Sequence, residues 1–258
     1  MADCTFLGHS TLLLKDVEVD FCALTDPLLT TRVMLRRRAC PLPVAIENLP
    51  ALTVVTISHA HVDHLHLPSL ALLPRDCVLI MPEKTARFVK KLGFRDVVEL
   101  KWEQSVTVGA GTVTAWPVNH VRGRFFPWQD TGVNSYVIST GDKHFFVAGD
   151  IDFGPSHAMQ LLGERFSLTA AALPVGGMRE VAYYEKRRGH HKVHIDPITA
   201  WELFLMTKAR TMVPIHWGVL RFARTPWREP VDRLLEIAKT AGESHRVQVL
   251  QPGETWEW

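Results

Sequence analysis

The chain of 258 residues is 47% hydrophobic and 22% charged, with a formal net charge of +2. It carries enough apolar material for one domain over 1–258 with a sizeable core. The near-neutral charge argues against a nucleic-acid-binding face, and no apolar run approaches the roughly 20 residues that span a bilayer, which argues against stable membrane insertion.

In chain order, residues 6–10 and 11–15 read as a first strand pair. Val17, Val19, Phe21 and Ala23 then alternate with Glu18, Asp20 and Cys22, the period of a half-buried strand. Thr25-Asp26-Pro27 closes it, because proline cannot continue a ladder. His9 suits either a buried group beside a metal site or a satisfied core histidine. Residues 28–49 are irregular. Their arginines, Arg32, Arg36, Arg37 and Arg38, form either a solvated face or a lip that receives an anionic substrate.

Residues 53–64 are the most informative stretch. Thr53-Val54-Val55-Thr56-Ile57 is a β-branched run typical of a buried strand, and it ends in Ser58-His59-Ala60-His61-Val62-Asp63-His64. In an extended backbone His59 and His61 point to the same side. Imidazoles and a carboxylate suit zinc and its neighbours. Four such ligands are too many for one ion and divide well between two, so the loop is expected to seed a two-metal hydrolytic site.

A short helix over 65–73 is expected next, with Pro68 near its first turn and Pro74 ending it. Residues 78–81 read as a strand. Residues 82–92 have helical spacing, with Gly93 as the stop. Strands are expected at 97–100, 105–108 and 112–118, and His120 stands just beyond the last. The aromatic and basic segment 123–130 suits a pocket wall. Residues 134–140 and 143–148 form a hairpin around Gly141-Asp142, and its second strand runs into Ala148-Gly149-Asp150. There a carboxylate at a sheet edge can bridge two cations.

Residues 170–174 are another buried strand, followed by a loop and a polar segment over 179–192. His194-Ile195-Asp196-Pro197 opens a helix, with Asp196 as N-cap and Pro197 at its first position. Residues 211–215 form a strand that ends in His216-Trp217-Gly218. A helix over 230–241 and a last strand over 246–250 complete the chain. Cys4, Cys22, Cys40 and Cys77 form no C-x-x-C pair, so neither a disulfide framework nor a zinc knuckle is expected. No secretory leader is evident and the expected compartment is the cytoplasm.

Taken together, His59, His61, Asp63 and His64 in an H-x-H-x-D-H pattern, followed in order by His120, Asp150 and His216, resemble the metallo-β-lactamase superfamily. The segments 6–11, 24–27, 58–65, 148–150, 194–197 and 215–218 look most like the N-acyl-phosphatidylethanolamine-hydrolysing phospholipase D relatives, with the ascorbate-phosphate lactonases as the nearest rival. The resemblance implies a four-layer αββα sandwich of mixed α/β (α+β) class. It implies one metal on His59, His61 and His120, a second on Asp63, His64 and His216, and Asp150 as the bridge.

It also implies that His194 reaches the substrate, with Asp63 or Asp150 orienting the nucleophile. Two divalent ions are expected, zinc first, with manganese or iron as alternatives. The expected reaction is hydrolysis of a phosphodiester or another small or lipid-derived anionic substrate. A lactonase or carboxylic-ester hydrolase on the same metals is the alternative, and a non-catalytic metal-binding scaffold is the alternative of another class. Oligomeric state stays open, a homodimer included.

Overall fold

The computed structural model describes residues 1–126, 129–152, 156–176, 194–220 and 226–258. Its first half supplies β1 (Ala2–Gly8), β2 (Thr11–Asp16), β3 (Phe21–Thr25), a small hairpin of β4 (Arg32–Val33) and β5 (Arg36–Arg37), β6 (Val54–Thr56), helix α1 (Leu67–Leu70), β7 (Val78–Pro82) and β8 (Asp96–Leu100). The second half supplies β9 (Ser105–Val108), β10 (Gly111–Trp116), β11 (Ser135–Thr140), β12 (Lys143–Val147), α2 (Ser156–Arg165), β13 (Ala170–Pro174), α3 (Pro197–Thr207), β14 (Thr211–Ile215), α4 (Glu229–Thr240) and β15 (Thr255–Glu257).

Apart from the separate β4–β5 pair, these strands make two mixed sheets. One runs β15-β1-β2-β3-β6-β7-β8 and the other β14-β13-β12-β11-β10-β9. In the first, β15, β1, β2 and β3 pair antiparallel, and β3, β6, β7 and β8 are parallel. In the second, β9 to β12 are antiparallel and β12, β13 and β14 parallel.

Side-chain alternation explains the layering. Phe6, Leu12, Leu14, Ala23, Val54 and Ile80 face one way and meet Val113, Tyr136, Ile138 and Phe145 of the other sheet in the central core. Their neighbours Leu7, Cys22, Leu24, Val55, Leu79 and Met81 face outward into a second core under α1 and the adjoining turns. On the opposite outer face, α3 packs against β13 and against α2 and α4. The result is the expected αββα order.

Several expected elements differ in the structure. Residues 17–20 are a turn, with Val17 and Val19 exposed and Asp20 in the left-handed region, because β2 and β3 pair from Asp16 and Phe21 and need those residues to reverse the chain. Residues 82–92 are not one helix. Pro82 belongs to β7, Lys84 has a positive φ, and two 3-10 turns follow at Ala86–Phe88 and Lys90–Leu92, with the Ala86 amide held by Glu99 Oε1 at 2.7 Å. The helix expected over 65–73 shortens to one turn. Residues 246–250 make a single bridge, Val247 to Met212, and the last strand is β15 on the edge of β1. Helix α2 was not anticipated.

The segment 28–49 holds the β4–β5 hairpin and a 3-10 turn, and Arg38 is not solvated: its guanidinium is buried and donates to the carbonyls of Leu28 (2.7 Å) and Leu7 (2.9 Å). The polar segment 179–192 lies outside the described residues. Among the described residues no helix is long and apolar enough to cross a membrane.

The two sheets are also tied by charge. Asp16, buried at the end of β2, accepts from Thr140 Oγ1 of β11 at 2.7 Å and from Lys143 Nζ of β12 at 3.0 Å. Burial alone would raise this carboxyl, but those two hydrogen bonds outweigh it and hold it below the ordinary carboxylate value. Asp16→Asn should therefore cost about 1–2 kcal/mol at neutral pH. A depressed folded-state pKa gives stability that is present above the unfolded value of about 4 and fades as pH falls through the folded value. Urea unfolding at neutral and acidic pH checks both: the gap between parent and variant should shrink in acid.

Candidate metal centre

The exits of six strands converge on one edge of the sandwich. His9 follows β1, Asp26 ends β3's run, His59 lies past β6, His120 past β10, Asp150 past β12 and His216 directly after β14. The tight reversals there need unusual backbone. His9, Asp26 and His216 all have positive φ, at 60°, 36° and 61°, a conformation that costs energy in residues other than glycine. Gly149 shows the same crowding: it has φ of 67°, and a Cβ on it would lie 2.5 Å from Ser58 Cβ. The chain thus lets the loop carrying Asp150 press against the loop carrying His59.

The convergence makes two adjoining groups. In the first, His61 Nδ1 lies 2.8 Å from His59 Nε2 and 3.1 Å from His120 Nε2, with Asp150 Oδ2 3.8 Å from both His59 Nε2 and His120 Nε2. In the second, Asp63 Oδ2 stands 4.0 Å from His64 Nε2, 3.9 Å from His216 Nε2 and 3.0 Å from His9 Nε2. Asp150 joins the two: its Oδ2 is 3.2 Å from His64 Nε2 and its Oδ1 is 3.3 Å from His216 Nε2. His194 Nδ1 lies 3.6 Å from Asp150 Oδ2, at the more open side of the cluster. Every residue expected from the sequence, His59, His61, Asp63, His64, His120, Asp150, His194 and His216, is therefore brought to one place.

An outer layer fixes which ring nitrogen points inward. Ser58 Oγ donates to Asp26 Oδ2 at 2.6 Å and, having one proton, accepts from His59 Nδ1 at 2.9 Å. His64 Nδ1 donates to Asp26 Oδ2 at 2.7 Å, and His120 Nδ1 donates to Asp152 Oδ1 at 3.0 Å. The Nε2 lone pairs of His59 and His120 are thereby aimed at the centre, as in metal sites whose histidines are held by carboxylates. Of the two readings the sequence leaves open for His9, the structure bears out the group beside the metal site, with its Nε2 3.0 Å from Asp63 Oδ2. Asp26 and Asp152 are not singled out by the sequence, although Asp26 stands at a strand exit as Asp150 does.

The electrostatics fit cations. Burial pushes His59 and His216 well below the ordinary imidazole value and His61 down to about 4, so these rings are neutral, the form in which an imidazole coordinates a cation. His64 is the exception. Burial opposes its charge, but the carboxylates of Asp150 and Asp26 outweigh it and hold a proton on the ring. Burial likewise works against the charges on Asp63 and Asp150, yet the surrounding imidazoles keep both below the ordinary carboxylate range. Three lone pairs facing one point across 2.8–3.1 Å, beside a buried Asp150 Oδ1 and a buried His194 Nδ1 that lack hydrogen-bond partners, are badly placed unless positive charge sits among them. The donor set, nitrogen-rich and without cysteine, fits divalent ions of the zinc type.

Asp26 is the most economical place to test this layer. Asp26→Asn keeps the volume and the tolerance for positive φ but removes the charge that His64 and Ser58 share. Metal affinity should fall about 10–100-fold with the fold intact, measured by competition with a chromophoric chelator.

The chain is similar in sequence or in fold to several known proteins. The sequence profile of the β-lactamase superfamily domain matches residues 23–217. An uncharacterised protein of Mycobacterium tuberculosis is 32% identical over 263 residues, spanning 97% of this chain and 67% of that protein. The N-acyl-phosphatidylethanolamine-hydrolyzing phospholipase D 1 of Caenorhabditis elegans is 28% identical over 275 residues, spanning 98% of this chain and 75% of the enzyme. Among solved structures, a possible metal-dependent hydrolase from Veillonella parvula is similar with a TM-score of 0.79 and 16% identity over 100% of both chains, a likeness of fold.

Proposed function

The chain belongs to the metallo-β-lactamase superfamily, and on that premise we propose that it is a two-zinc phosphodiesterase acting on a small or lipid-derived anionic substrate. The observation that carries a two-ion reading is Asp150. One carboxylate oxygen faces His59, His120 and His64 and the other faces His216, so a single side chain serves both groups. His59, His61 and His120 would hold one ion, Asp63, His64 and His216 the other, and Asp150 would contact both. Two such ions supply Lewis-acid polarisation of a phosphoryl oxygen and water acidic enough to react as hydroxide at neutral pH.

The protein's own residues do the rest. Asp63 and Asp150, both ionised, are placed to orient a water and accept its hydrogen bond. His9 donates to Asp63 from behind, which fixes the carboxylate's rotation. His194, with 27% of its side chain exposed while its Nδ1 is buried, is the ring placed to meet a substrate and give a proton to the departing oxygen.

The diester reading is supported by the phospholipase D named among the relatives. Its test is metal-loaded protein assayed against bis-aryl and alkyl-aryl phosphodiesters and a lactone panel, with bound metals counted by mass spectrometry. Diester turnover with about two zinc ions per chain is the expected result. Lactone opening without diester turnover overturns the substrate class, and one ion per active chain overturns the two-ion site.

A further inference from the structure

Beside the metal loop the fold displays a six-residue hairpin, β4–β5, whose tip is Met34-Leu35. Three of its features are individually unfavourable in water. Leu35 is 93% exposed and Met34 67%, adjacent large apolar side chains at the end of a projection. Met34 holds a φ of 51°, a conformation normally left to glycine or asparagine. Arg32 and Arg37 face each other directly across the two strands, where like charges repel, and among the described residues no carboxylate lies within ion-pair distance of either.

The base of the hairpin is nevertheless built firmly. Val33 is buried in a cluster with Leu28, Val219 and Leu220, against which Val62 of the metal loop packs. Arg38 locks the returning strand through the carbonyls of Leu28 and Leu7. A rigid base with a strained, apolar, cation-flanked tip is not a slack surface loop. On the other flank of the same metal loop, Arg124 donates to the carbonyls of Ala60 and Leu65 at 3.1 and 2.8 Å, and carries the exposed neighbours Phe125 and Phe126.

We infer that the β4–β5 hairpin is a wedge that docks the protein on an anionic phospholipid surface, with Met34 and Leu35 entering the headgroup–acyl boundary and Arg32 and Arg37 resting on lipid phosphates. The chemistry selects this occupant. Anionic headgroups relieve the repulsion between the opposed arginines, and the acyl boundary takes the apolar tip, so two of the three unfavourable features are satisfied by one partner. A second copy of the chain would bring the same positive charges against each other. The docking is peripheral and stands apart from the bond the centre cleaves: it places the mouth at a lipid surface whichever ester is hydrolysed.

The test is co-sedimentation of the full metal-loaded chain with vesicles of phosphatidylcholine alone and of phosphatidylcholine with about one third phosphatidylglycerol. Binding to the anionic vesicles should be at least about tenfold tighter and weaken with salt. Arg32→Gln and Arg37→Gln should each lower it about fivefold. Met34→Gly with Leu35→Ser should lower it about tenfold. Glycine suits the left-handed φ, so the apolar variant should keep the parent's melting temperature and metal content, which separates lost docking from lost folding. Equal affinity for the two vesicle types, or variants that bind like the parent, overturns the inference. So does a concentration-dependent dimer in sedimentation velocity that Leu35→Ser abolishes, since the tip would then be an interface between copies.

Discussion

His61→Ala is expected to leave the protein with about one bound ion instead of two and to lower diester turnover by about three orders of magnitude or more. The geometry gives the reason. His61 Nδ1 is the apex that both His59 Nε2 and His120 Nε2 approach, at 2.8 and 3.1 Å. Without it the first group keeps two imidazoles and a share of Asp150, which already faces His64 and His216. Among the described residues the clusters able to hold an ion offer no substitute donor on that side.

The fold should not suffer. His61 is only half-buried, unlike His59 and His64, and carries no positive φ. The metal-free variant should accordingly melt close to the metal-free parent, and in excess zinc the parent should gain more stability than the variant, because two ions rather than one then bind the native state. Two ions retained with normal turnover would show that His61 is not a ligand and would break the first group apart.

How far such a centre can be read from sequence depends on what fixes each part. Thr53-Val54-Val55-Thr56-Ile57 is β-branched and apolar on both faces because β6 lies between two parallel neighbours with a core on each side. That makes the strand, its exit and hence His59 and His61 visible in one dimension. Asp196 and Pro197 mark the start of α3 equally well, and the Asp196 carboxylate does accept from the Thr199 amide at 2.9 Å. Elements decided by distant contacts were not visible. Helix α2 contains Gly163, which reads as a breaker, yet a Cβ there would lie 2.6 Å from the Thr207 carbonyl of the neighbouring helix, so the residue is set by how closely α2 and α3 pack. The alternation over 17–23 suggested a longer strand, because Val17 and Val19 have the right period, but the pairing of Asp16 with Phe21 leaves them in the turn. The roles of Asp26 and Asp152 are hidden in the sequence for the same kind of reason: each acts on a histidine brought near only by folding, His64 from 38 residues away and His120 from 32.

His194→Ala is expected to keep both ions and lower turnover by about 10²–10⁴-fold, with the loss depending on the leaving group. The backbone at this position is held without the ring. The Ile195 amide donates to the Ile151 carbonyl at 3.1 Å, beside Asp150, and Ile195 itself is buried. Asp196 caps α3. Removing the imidazole should thus leave Asp150 where it is. The ring stands 5.0 Å from His216 and 5.9 Å from His120, centroid to centroid, close enough to the centre for its Nδ1 to serve either as a proton donor or as a further ligand with Asp150 and His216. The leaving group distinguishes the two roles. A departing nitrophenolate needs no proton, so a proton donor's loss should be slight with aryl diesters and full with alkyl leaving groups, where a poor alkoxide must be neutralised as it departs. A ligand's loss would instead lower both rates alike and release metal. Uniform loss across leaving groups, together with a metal content like that of His61→Ala, would move His194 from the substrate side into the coordination sphere.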